Sequence, residues 1–168
     1  GFEDLYITGG KSQDILYRNN GDGTFKDVIN GSGLLKDSLI VTTGVSSADV
    51  NKDGYIDLLV TTITSQNNHP NEKNKMSSNL LYINNGDGTF SDLSSKYGIQ
   101  KRNFSTSSSF GDINADGYPD LFIANYFKDF YFDDNPLGSH RLSLLNNYSI
   151  RSDYETGQDE LYINIDGK

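Results

Sequence analysis

Cysteine and tryptophan are absent from this chain of 168 residues, and proline and methionine are scarce, at three residues and one. The absence of cysteine excludes a disulfide framework, thiol catalysis and cysteine-ligated zinc. No apolar run reaches the length of about 18 residues that a membrane-spanning helix needs, so no membrane insertion is expected. Positive charge is also low, because 23 acidic residues outnumber 14 basic ones. This balance argues against nucleic acid and anionic membranes as partners.

The residues that are abundant favour an all-β fold. The chain contains 17 glycines, 11 tyrosines and 9 phenylalanines, and asparagine, aspartate, serine and threonine crowd the connections between apolar stretches. Aromatic residues are typical of strands, whereas glycine, asparagine and aspartate are typical of tight turns. The composition therefore predicts many short strands in one domain. Because the chain has no initiator methionine and no signal peptide, we expect a mature or excised piece of a longer protein.

Two motifs alternate along the chain as internal repeats. The first motif occurs as LYRNNGDGTFKDV at 16–28 and as LYINNGDGTFSDL at 81–93, with a weaker copy, LYINIDGK, at 161–168. The second motif occurs as DVNKDGYIDLLV at 49–60 and again, 63 residues further on, as DINADGYPDLFI at 112–123. The chain opens with GFEDLYIT, which aligns with the second half of the second motif.

Each repeat unit is predicted to form four antiparallel strands. Asn-Gly and Asp-Gly steps indicate hairpins, because these residue types tolerate positive φ. Four-stranded sheets that repeat at this period are the blades of a β-propeller, whereas a sandwich of unrelated hairpins would not need the repeat. The predicted strands are Thr42–Ala48, Ile56–Thr64, Leu80–Asn84, Thr89–Leu93, Ser105–Gly111 and Pro119–Ala124.

The repeats divide the chain into one complete blade and two incomplete ones, about two and a half blades in all. The incomplete blades span 1–40 and 104–168, the complete blade spans 41–103, and an insertion at 126–159 lengthens the last unit. We therefore expect a segment of a larger propeller. Sheet edges left unpaired would be filled by the rest of a longer chain or by copies of this one.

The second motif places oxygen-bearing side chains at loop positions 1, 3, 5 and 9, and glycine at position 6. Ca²⁺ accepts about six to eight oxygen ligands in loose geometry, and the backbone carbonyl at position 7 adds a donor. An EF-hand is excluded because position 12, which needs a bidentate glutamate, is Val60 in one copy and Ile123 in the other. Without a cation the carboxylates would repel one another, although a metal-free Asx-rich turn is the alternative.

Together the two motifs resemble the FG-GAP/VCBS repeat family, the calcium-loop β-propeller units shared by integrin α-chain heads and many secreted bacterial proteins. They are similar to bacterial VCBS-type and cartilage-acidic-protein-like members, and Phe110-Gly111 matches the FG of the family. The GAP tripeptide is absent, and Ser47-Ala48 replaces FG in the earlier copy. The resemblance covers nearly all of the chain except 126–159, and it implies an extracellular β-propeller.

Carried over position by position, the resemblance implies one calcium ion in each complete loop. Asp4 would be the remnant of a third site whose other ligands lie outside the chain. The implied ligands, with each tyrosine contributing its backbone carbonyl, are Asp49, Asn51, Asp53, Tyr55 and Asp57 in the first loop and Asp112, Asn114, Asp116, Tyr118 and Asp120 in the second.

These features predict a non-enzymatic, extracellular, calcium-stabilised propeller for adhesion, scaffolding or filament assembly, with a protein or glycan as partner. The sequence contains no identifiable nucleophile elbow or Ser/His/Asp arrangement. The alternative is a carbohydrate-binding propeller or part of a polysaccharide-degrading enzyme. In that case the aromatic residues at 126–147 would stack on sugar rings, and Asp129, Asp133 and Asp134 would supply acid–base chemistry.

Four further positions are candidates for glycosylation. Asn30, Asn103 and Asn147 each begin an Asn-x-Ser sequon. Ser38 lies in a short Asp-Ser-apolar pattern that resembles a bacterial O-glycosylation signal. In a chain this rich in asparagine and serine, such patterns also arise by chance.

Overall fold

The computed structural model describes residues 1–34, 36, 40–64, 78–99, 104–126 and 158–167. The ten described strands form three antiparallel sheets, A, B and C, which follow one another along the chain. The strands of sheet A are β1 (Leu5–Ile7), β2 (Ile15–Asn19) and β3 (Phe25–Asp27). Those of sheet B are β4 (Ile40–Ala48), β5 (Asp57–Thr64), β6 (Leu80–Asn84) and β7 (Phe90–Asp92). Those of sheet C are β8 (Ser105–Gly111), β9 (Asp120–Asn125) and β10 (Glu160–Tyr162).

The prediction of an all-β chain made of antiparallel, blade-like sheets is confirmed. In each sheet the strands lie side by side in the order of the sequence. The predicted strands Leu80–Asn84 and Ser105–Gly111 have the observed bounds, and the other predicted bounds differ by at most two residues. The division of the chain into one complete and two incomplete blades stays a prediction. Among the described residues there is no helix long and apolar enough to cross a membrane.

Tight turns with the sequence NGDG join β2 to β3 and β6 to β7. In each turn the aspartate accepts a hydrogen bond from the backbone N–H of a threonine, at 2.9 Å both for Asp22 and Thr24 and for Asp87 and Thr89. Both glycines of each turn have positive φ, which a side chain would disfavour. The turn chemistry therefore sets the register of both hairpins.

Two apolar cores lie between successive sheets, and sheet B contributes to both. Alternate residues of a strand point to opposite faces, so Leu58 and Val60 face sheet A whereas Leu59 faces sheet C. The core between sheets A and B contains Leu16, Ile29, Leu34, Leu58, Val60, Leu80 and Tyr82. The core between sheets B and C contains Val50, Leu59, Leu81, Ile83, Ile99, Leu121 and Ile123. Sheet B is therefore covered on both faces.

The first strands of sheets B and C, β4 and β8, contact each other through polar side chains. The Thr43 hydroxyl donates to the Ser105 carbonyl at 2.7 Å, and the hydroxyl oxygens of Ser46 and Ser108 lie 2.7 Å apart. Both strands contain a register shift near their start, relative to the strand beside them. The two register shifts lie at equivalent positions of the repeat, whereas the contacting residues are offset by one position from equivalence, being 62 residues apart.

The junction of sheets A and B contains a buried ion pair. The Lys36 ammonium lies 2.8 Å from a carboxylate oxygen of Asp14, and both side chains are 1% exposed. Asp14 also accepts hydrogen bonds from the Gly9 N–H and from the Tyr6 and Thr42 hydroxyls, each at 2.7 Å. The charge of Asp14 is therefore surrounded by donors.

At the junction of sheets B and C, the counterpart of Asp14 is a neutral side chain. Asn79 follows Asp14 by 65 residues, and its side chain accepts a hydrogen bond from the Thr62 N–H at 2.9 Å. The Asn79 amide donates to the Ser105 hydroxyl at 2.9 Å, and this hydroxyl donates to the side chain of Asn125 at 2.6 Å. Asp14 and Asn79 therefore share a position in the repeat but not a charge.

Candidate metal-binding loops

The two acidic loops connect β4 to β5 and β8 to β9, the first and second strands of their sheets. The backbone is left-handed at loop positions 4 and 6, where φ is 59° at Lys52 and 90° at Gly54 in the first loop, and 61° at Ala115 and 85° at Gly117 in the second. Two left-handed residues so close together fold the loop back on itself. Glycine at position 6 adopts this conformation without the strain that a side chain would add.

In the first loop the side chains at positions 1, 3 and 5 bond to the backbone of the loop. Asp49 accepts from the N–H of Asp53 at 3.1 Å and from that of Gly54 at 2.9 Å. Asn51 accepts from the same Asp53 N–H at 3.1 Å, and Asp53 accepts from the Tyr55 N–H at 2.8 Å. Because Asp49 and Asn51 share one donor, their side-chain oxygens lie on the same side of the loop.

The second loop has the same set of hydrogen bonds. Asp112 accepts from Asp116 at 3.1 Å and from Gly117 at 2.8 Å, while Asn114 accepts from Asp116 at 3.0 Å and Asp116 accepts from Tyr118 at 2.8 Å. The loops differ in sequence only at positions 2, 4 and 8. The arrangement is therefore determined by the aspartates, the asparagine and the glycine that they share.

The aspartate at position 9 fastens the loop to the next hairpin. Asp57 is fully buried, and it accepts from the Val50 N–H at 2.9 Å and from the Asn84 N–H at 2.8 Å. The Asn84 side chain in turn donates to the Ile56 carbonyl at 3.1 Å. The asparagine is the donor in both bonds: its backbone N–H donates to the aspartate at position 9, and its side chain donates to the carbonyl at position 8. We call this pair of hydrogen bonds from the first asparagine of the hairpin motif the Asp–Asn clamp.

The Asp–Asn clamp occurs in all three sheets. In sheet C, Asp120 accepts from the Ile113 N–H at 2.9 Å and from the Asn164 N–H at 2.8 Å. In sheet A, Asp4 accepts from the Asn19 N–H at 2.8 Å. The asparagine partners were not among the residues predicted for the site, although the sequence contains a sign of them. The weak third copy of the hairpin motif, which contains Asn164-Ile165-Asp166, keeps the first asparagine of NNGDG and has isoleucine in place of the second.

The aromatic residue at position 7 packs on the first glycine of the NGDG turn. A Cβ placed on Gly86 would lie 2.7 Å from the ring of Tyr55, and one placed on Gly21 would collide with the ring of Phe2. Phe2 is the position 7 residue that precedes Asp4. Only the backbone carbonyl of position 7 was predicted to have a role, as a calcium ligand, whereas the aromatic ring at this position also packs the loop against the turn.

Asp57, at the base of the first loop, is buried and lies near other negative charges. Burial raises the pKa of Asp57 above its ordinary value, and the carboxylates of Asp53 and Asp49 raise it further, against the lowering effect of the N–H groups of Asn84 and Val50. The charges of Asp53 and Asp49 therefore reach Asp57 and disfavour its ionised form.

The second loop has a positive charge beside it. The Lys52 ammonium, which belongs to the first loop, lies 3.8 Å from the centroid of the Tyr118 ring. The Tyr118 N–H, the Asn114 side chain and the charge of Lys52 together lower the pKa of Asp116. The two loops are therefore neighbours, and a side chain of one contributes to the electrostatics of the other.

The donors of each loop fit a hard cation. Positions 1, 3, 5 and 7 supply two carboxylates, an amide and a backbone carbonyl, which is the all-oxygen chemistry that Ca²⁺ prefers. Among the described residues no three His, Cys, Asp or Glu side chains form a group that could hold a metal ion. A cation here would therefore depend on the asparagine and the carbonyl as well as on the carboxylates.

The other predicted site residues are distributed as follows. Asn30 is exposed in the turn that follows β3. Asn103, Asn147 and Ser38 lie outside the described residues, as does the aromatic stretch 127–147 with its three aspartates. These glycosylation and carbohydrate-binding hypotheses stay predictions.

Antiparallel sheets that pack face to face in sequence order, with acidic loops after their first strands, define a protein built of β-propeller blades. The family model described as FG-GAP-like repeat matches the chain twice, at residues 1–60 and 63–123. The chain therefore belongs to the FG-GAP-like repeat family, and the resemblance noted in the sequence is confirmed. A search of curated proteins finds no match.

Proposed function

We propose that the chain is an extracellular, calcium-binding β-propeller module that acts in adhesion, scaffolding or filament assembly and not in catalysis. The observation that carries this proposal is the matched pair of loops. In both loops the same oxygen donors are held by the same backbone hydrogen bonds. Membership of the FG-GAP-like repeat family supports the propeller architecture of the module.

Asp49, Asn51, Asp53 and the Tyr55 carbonyl would hold Ca²⁺ in the first loop, and their counterparts would hold it in the second. A bound Ca²⁺ would offset the mutual repulsion of the carboxylates. Since the Asp–Asn clamp connects each loop to the next hairpin, fixing the loop also fixes the hairpin. Calcium would in this way stiffen one end of each sheet.

The proposed location outside the cell follows from the ligands. A loop with few charged ligands suits the high calcium concentrations at which extracellular modules work. The partner we propose is a protein, a glycan or further copies of the chain, because the excess of 23 acidic over 14 basic residues disfavours nucleic acid.

Calorimetric titration of the whole chain with calcium chloride tests this proposal. We expect two sites in the wild type, loss of one in Asp53→Asn, and loss of the other in Asp116→Asn. Calcium should also raise the melting temperature, because a ligand at about 100 times its Kd stabilises the folded state by about 2.7 kcal/mol per site. Each variant should lose part of that increase.

Asp22→Asn is the matched control, since it makes the same chemical change in an exposed turn outside the loops. It should retain both sites and the full increase in melting temperature. No heat of calcium binding in the wild type, or equal loss of binding in Asp22→Asn and Asp53→Asn, would contradict the proposal.

A further inference from the structure

The two acidic loops differ at position 4, where the first loop has Lys52 and the second has Ala115. The Lys52 side chain leaves its own loop and reaches the second one. Its ammonium lies 3.8 Å from the centroid of the Tyr118 ring, and a Cβ placed on Gly117 would lie 2.8 Å from its Nζ. Lys52 therefore places a positive charge against positions 6 and 7 of the second loop.

The backbone next to Lys52 is fixed against sheet C. The Asn164 side chain donates to the Val50 carbonyl at 2.8 Å, and a Cβ placed on Gly167 would lie 3.4 Å from the Cα of Asn51. The same Cβ would lie 3.6 Å from the tyrosine ring beneath the ammonium. The turn after β10 thus packs both on the residue before the lysine and on the ring that its ammonium covers. The packing of two sheets therefore sets the position of this charge.

The charge of Lys52 acts on the second loop without forming an ion pair. Among the described residues, no carboxylate oxygen lies at ion-pair distance from the Lys52 ammonium. The N–H at position 7 and the asparagine at position 3 lower the pKa of Asp116, and the charge of Lys52 lowers it further. A cation that belongs to the first loop therefore stabilises the ionised carboxylate at position 5 of the second.

We propose that Lys52 sets the calcium affinity of the second loop, because its ammonium is a built-in counter-charge that stabilises the calcium-free loop and weakens the binding of Ca²⁺. This inference rests on the proposed function, since it concerns the ion that the second loop would bind. The ammonium and the calcium ion are attracted to the same carboxylates and repel each other. The stabilisation that Lys52 gives to the calcium-free loop is therefore offset when calcium binds.

Position 4 in this way makes the affinity of one loop depend on the loop before it. The ligands proposed at positions 1, 3, 5 and 7 are the same residues in both loops, so they do not distinguish the two sites. A substitution at position 4 changes the charge at the neighbouring site and leaves every proposed ligand in place. Variation at this position is therefore a means of setting adjacent loops to different calcium concentrations.

Calorimetric titration with calcium chloride tests the inference in variants that keep one loop intact. In Asp53→Asn only the second loop is intact, and the addition of Lys52→Gln should lower its Kd about threefold to tenfold at low ionic strength. Lys52→Arg keeps the charge and should leave the Kd unchanged. In Asp116→Asn only the first loop is intact, and Lys52→Gln should lower its Kd by a smaller factor, because the ammonium lies at the second loop.

Salt separates the charge of Lys52 from its packing. Lys52 and Asp116 are both exposed, so dissolved ions screen their interaction, and in 1 M salt the Debye length falls to about 3 Å. The Kd values of the second loop with and without Lys52→Gln should therefore converge at this concentration. A difference that persists in full would overturn the proposal, because it would mean that the lysine acts through its shape.

Lys96→Gln is the matched control. It removes the charge of another exposed lysine beside a tyrosine, since the Lys96 ammonium lies 5.3 Å from the centroid of the Tyr97 ring and outside both loops. This variant should leave the Kd of the second loop unchanged. An equal gain in affinity from Lys96→Gln and Lys52→Gln would overturn the proposal, because net charge and not position would then explain it.

The melting temperature in EDTA tests the counter-charge without calcium. Lys52→Gln should lower it by about 1–2 °C, because the carboxylates of the second loop lose a nearby cation. A decrease no larger than that in Lys96→Gln would overturn the counter-charge.

The titrations also separate this inference from the proposed function. If the second loop binds calcium with the same Kd in the presence and absence of the Lys52 charge, only this inference is overturned. If the Asp53→Asn variant binds no calcium at all, the proposed calcium site of the second loop is overturned and this inference with it.

Discussion

The A–B and B–C junctions occupy the same position in the repeat and differ in the charge of one pair of counterparts, Asp14 and Asn79. At the A–B junction Asp14 pairs with Lys36 in the interior, whereas at the B–C junction Asn79 takes the position of Asp14. In both, the side chain accepts a hydrogen bond from a backbone N–H of the preceding segment, at Gly9 and at Thr62. This shared hydrogen bond forms whether its acceptor is a carboxylate or a neutral amide. The ion pair makes the stability of the A–B junction depend on the presence of Lys36 and on pH.

Removing the positive partner should have the largest effect. Lys36→Met leaves the buried Asp14 carboxylate without its counter-charge, and the free energy of unfolding should fall by about 3–5 kcal/mol. Urea denaturation at neutral pH measures this, with the exposed Lys26→Met as the matched control. A loss no larger than in Lys26→Met would mean that the ion pair does not stabilise the junction.

The double variant Asp14→Asn with Lys36→Met removes both charges of the ion pair and gives the A–B junction the asparagine that Asn79 provides at the B–C junction. It should be more stable than Lys36→Met alone, by on the order of 2 kcal/mol, because no uncompensated charge remains in the interior. If the two variants are equally unstable, the loss comes from the hydrogen bonds that the Lys36 ammonium donates to Gly10 and Thr42 and not from an uncompensated charge.

Truncation of Asn79 should cost less than the loss of Lys36. Asn79→Ala removes the acceptor of the Thr62 N–H and the donor to Ser105, and the expected destabilisation is about 1–3 kcal/mol. Thermal unfolding measures it, and Asn20→Ala, on an exposed turn, serves as comparison. An Asn79→Asp variant that is as stable as the wild type would contradict the view that this junction requires a neutral side chain.

Acid should weaken the A–B junction more than the B–C junction. Burial alone would raise the pKa of Asp14, but hydrogen bonds from Gly9, Lys36, Thr42 and Tyr6 outweigh it and hold the pKa below its ordinary value. A carboxylate with a lowered pKa contributes stability above the unfolded pKa of about 3.9 and loses it as pH falls through the folded pKa.

Unfolding free energies measured from neutral pH down to about pH 2 check this, since the loss begins near the unfolded pKa of aspartate, about 3.9, and continues to lower pH. The wild type should lose stability more steeply in acid than Asp14→Asn. Parallel curves for the two proteins would show that Asp14 does not link the junction to pH.

The smallest effect is expected at the contact between β4 and β8. Ser46→Ala removes one hydroxyl from the pair with Ser108, and the loss should be about 0.5–1.5 kcal/mol. The double variant Ser46→Ala with Ser108→Ala should cost less than the sum of the single changes, because neither hydroxyl is then left without the other. Additive losses would mean that the two hydroxyls act independently.

Much of the fold could be predicted because its determinants are local and repeated. The NGDG turns, the alternation of apolar residues and the period of the motifs give the strands, and Leu80–Asn84 was predicted with its observed bounds. The spacing also located the polar side chains at loop positions 1, 3 and 5 that bond to the loop backbone. Their role as calcium ligands stays a prediction. In each case residues close in sequence determine the structure.

What could not be predicted depends on residues that are far apart in sequence. Asp14 and Lys36 are separated by 22 residues, and neither is marked by its neighbours. Asp57 was assigned to the cation as a loop residue, whereas both of its oxygens also accept hydrogen bonds from backbone N–H groups, one of them that of Asn84, 27 residues away. Such pairings follow from the packing of sheets on one another and from the pairing of strands within a sheet, which spacing within a motif does not reveal.

The sequence order of the sheets has a consequence for how the molecule opens. Each described sheet is a meander that packs only on the sheet before it and the sheet after it. The stability of such an array is approximately a sum of terms for single units and for contacts between nearest neighbours. Sheet B takes part in two such contacts, and sheets A and C in one each among the described residues. Amide protons of β5 and β6 should thus exchange last, and the order of opening is governed by the number of neighbours a sheet has.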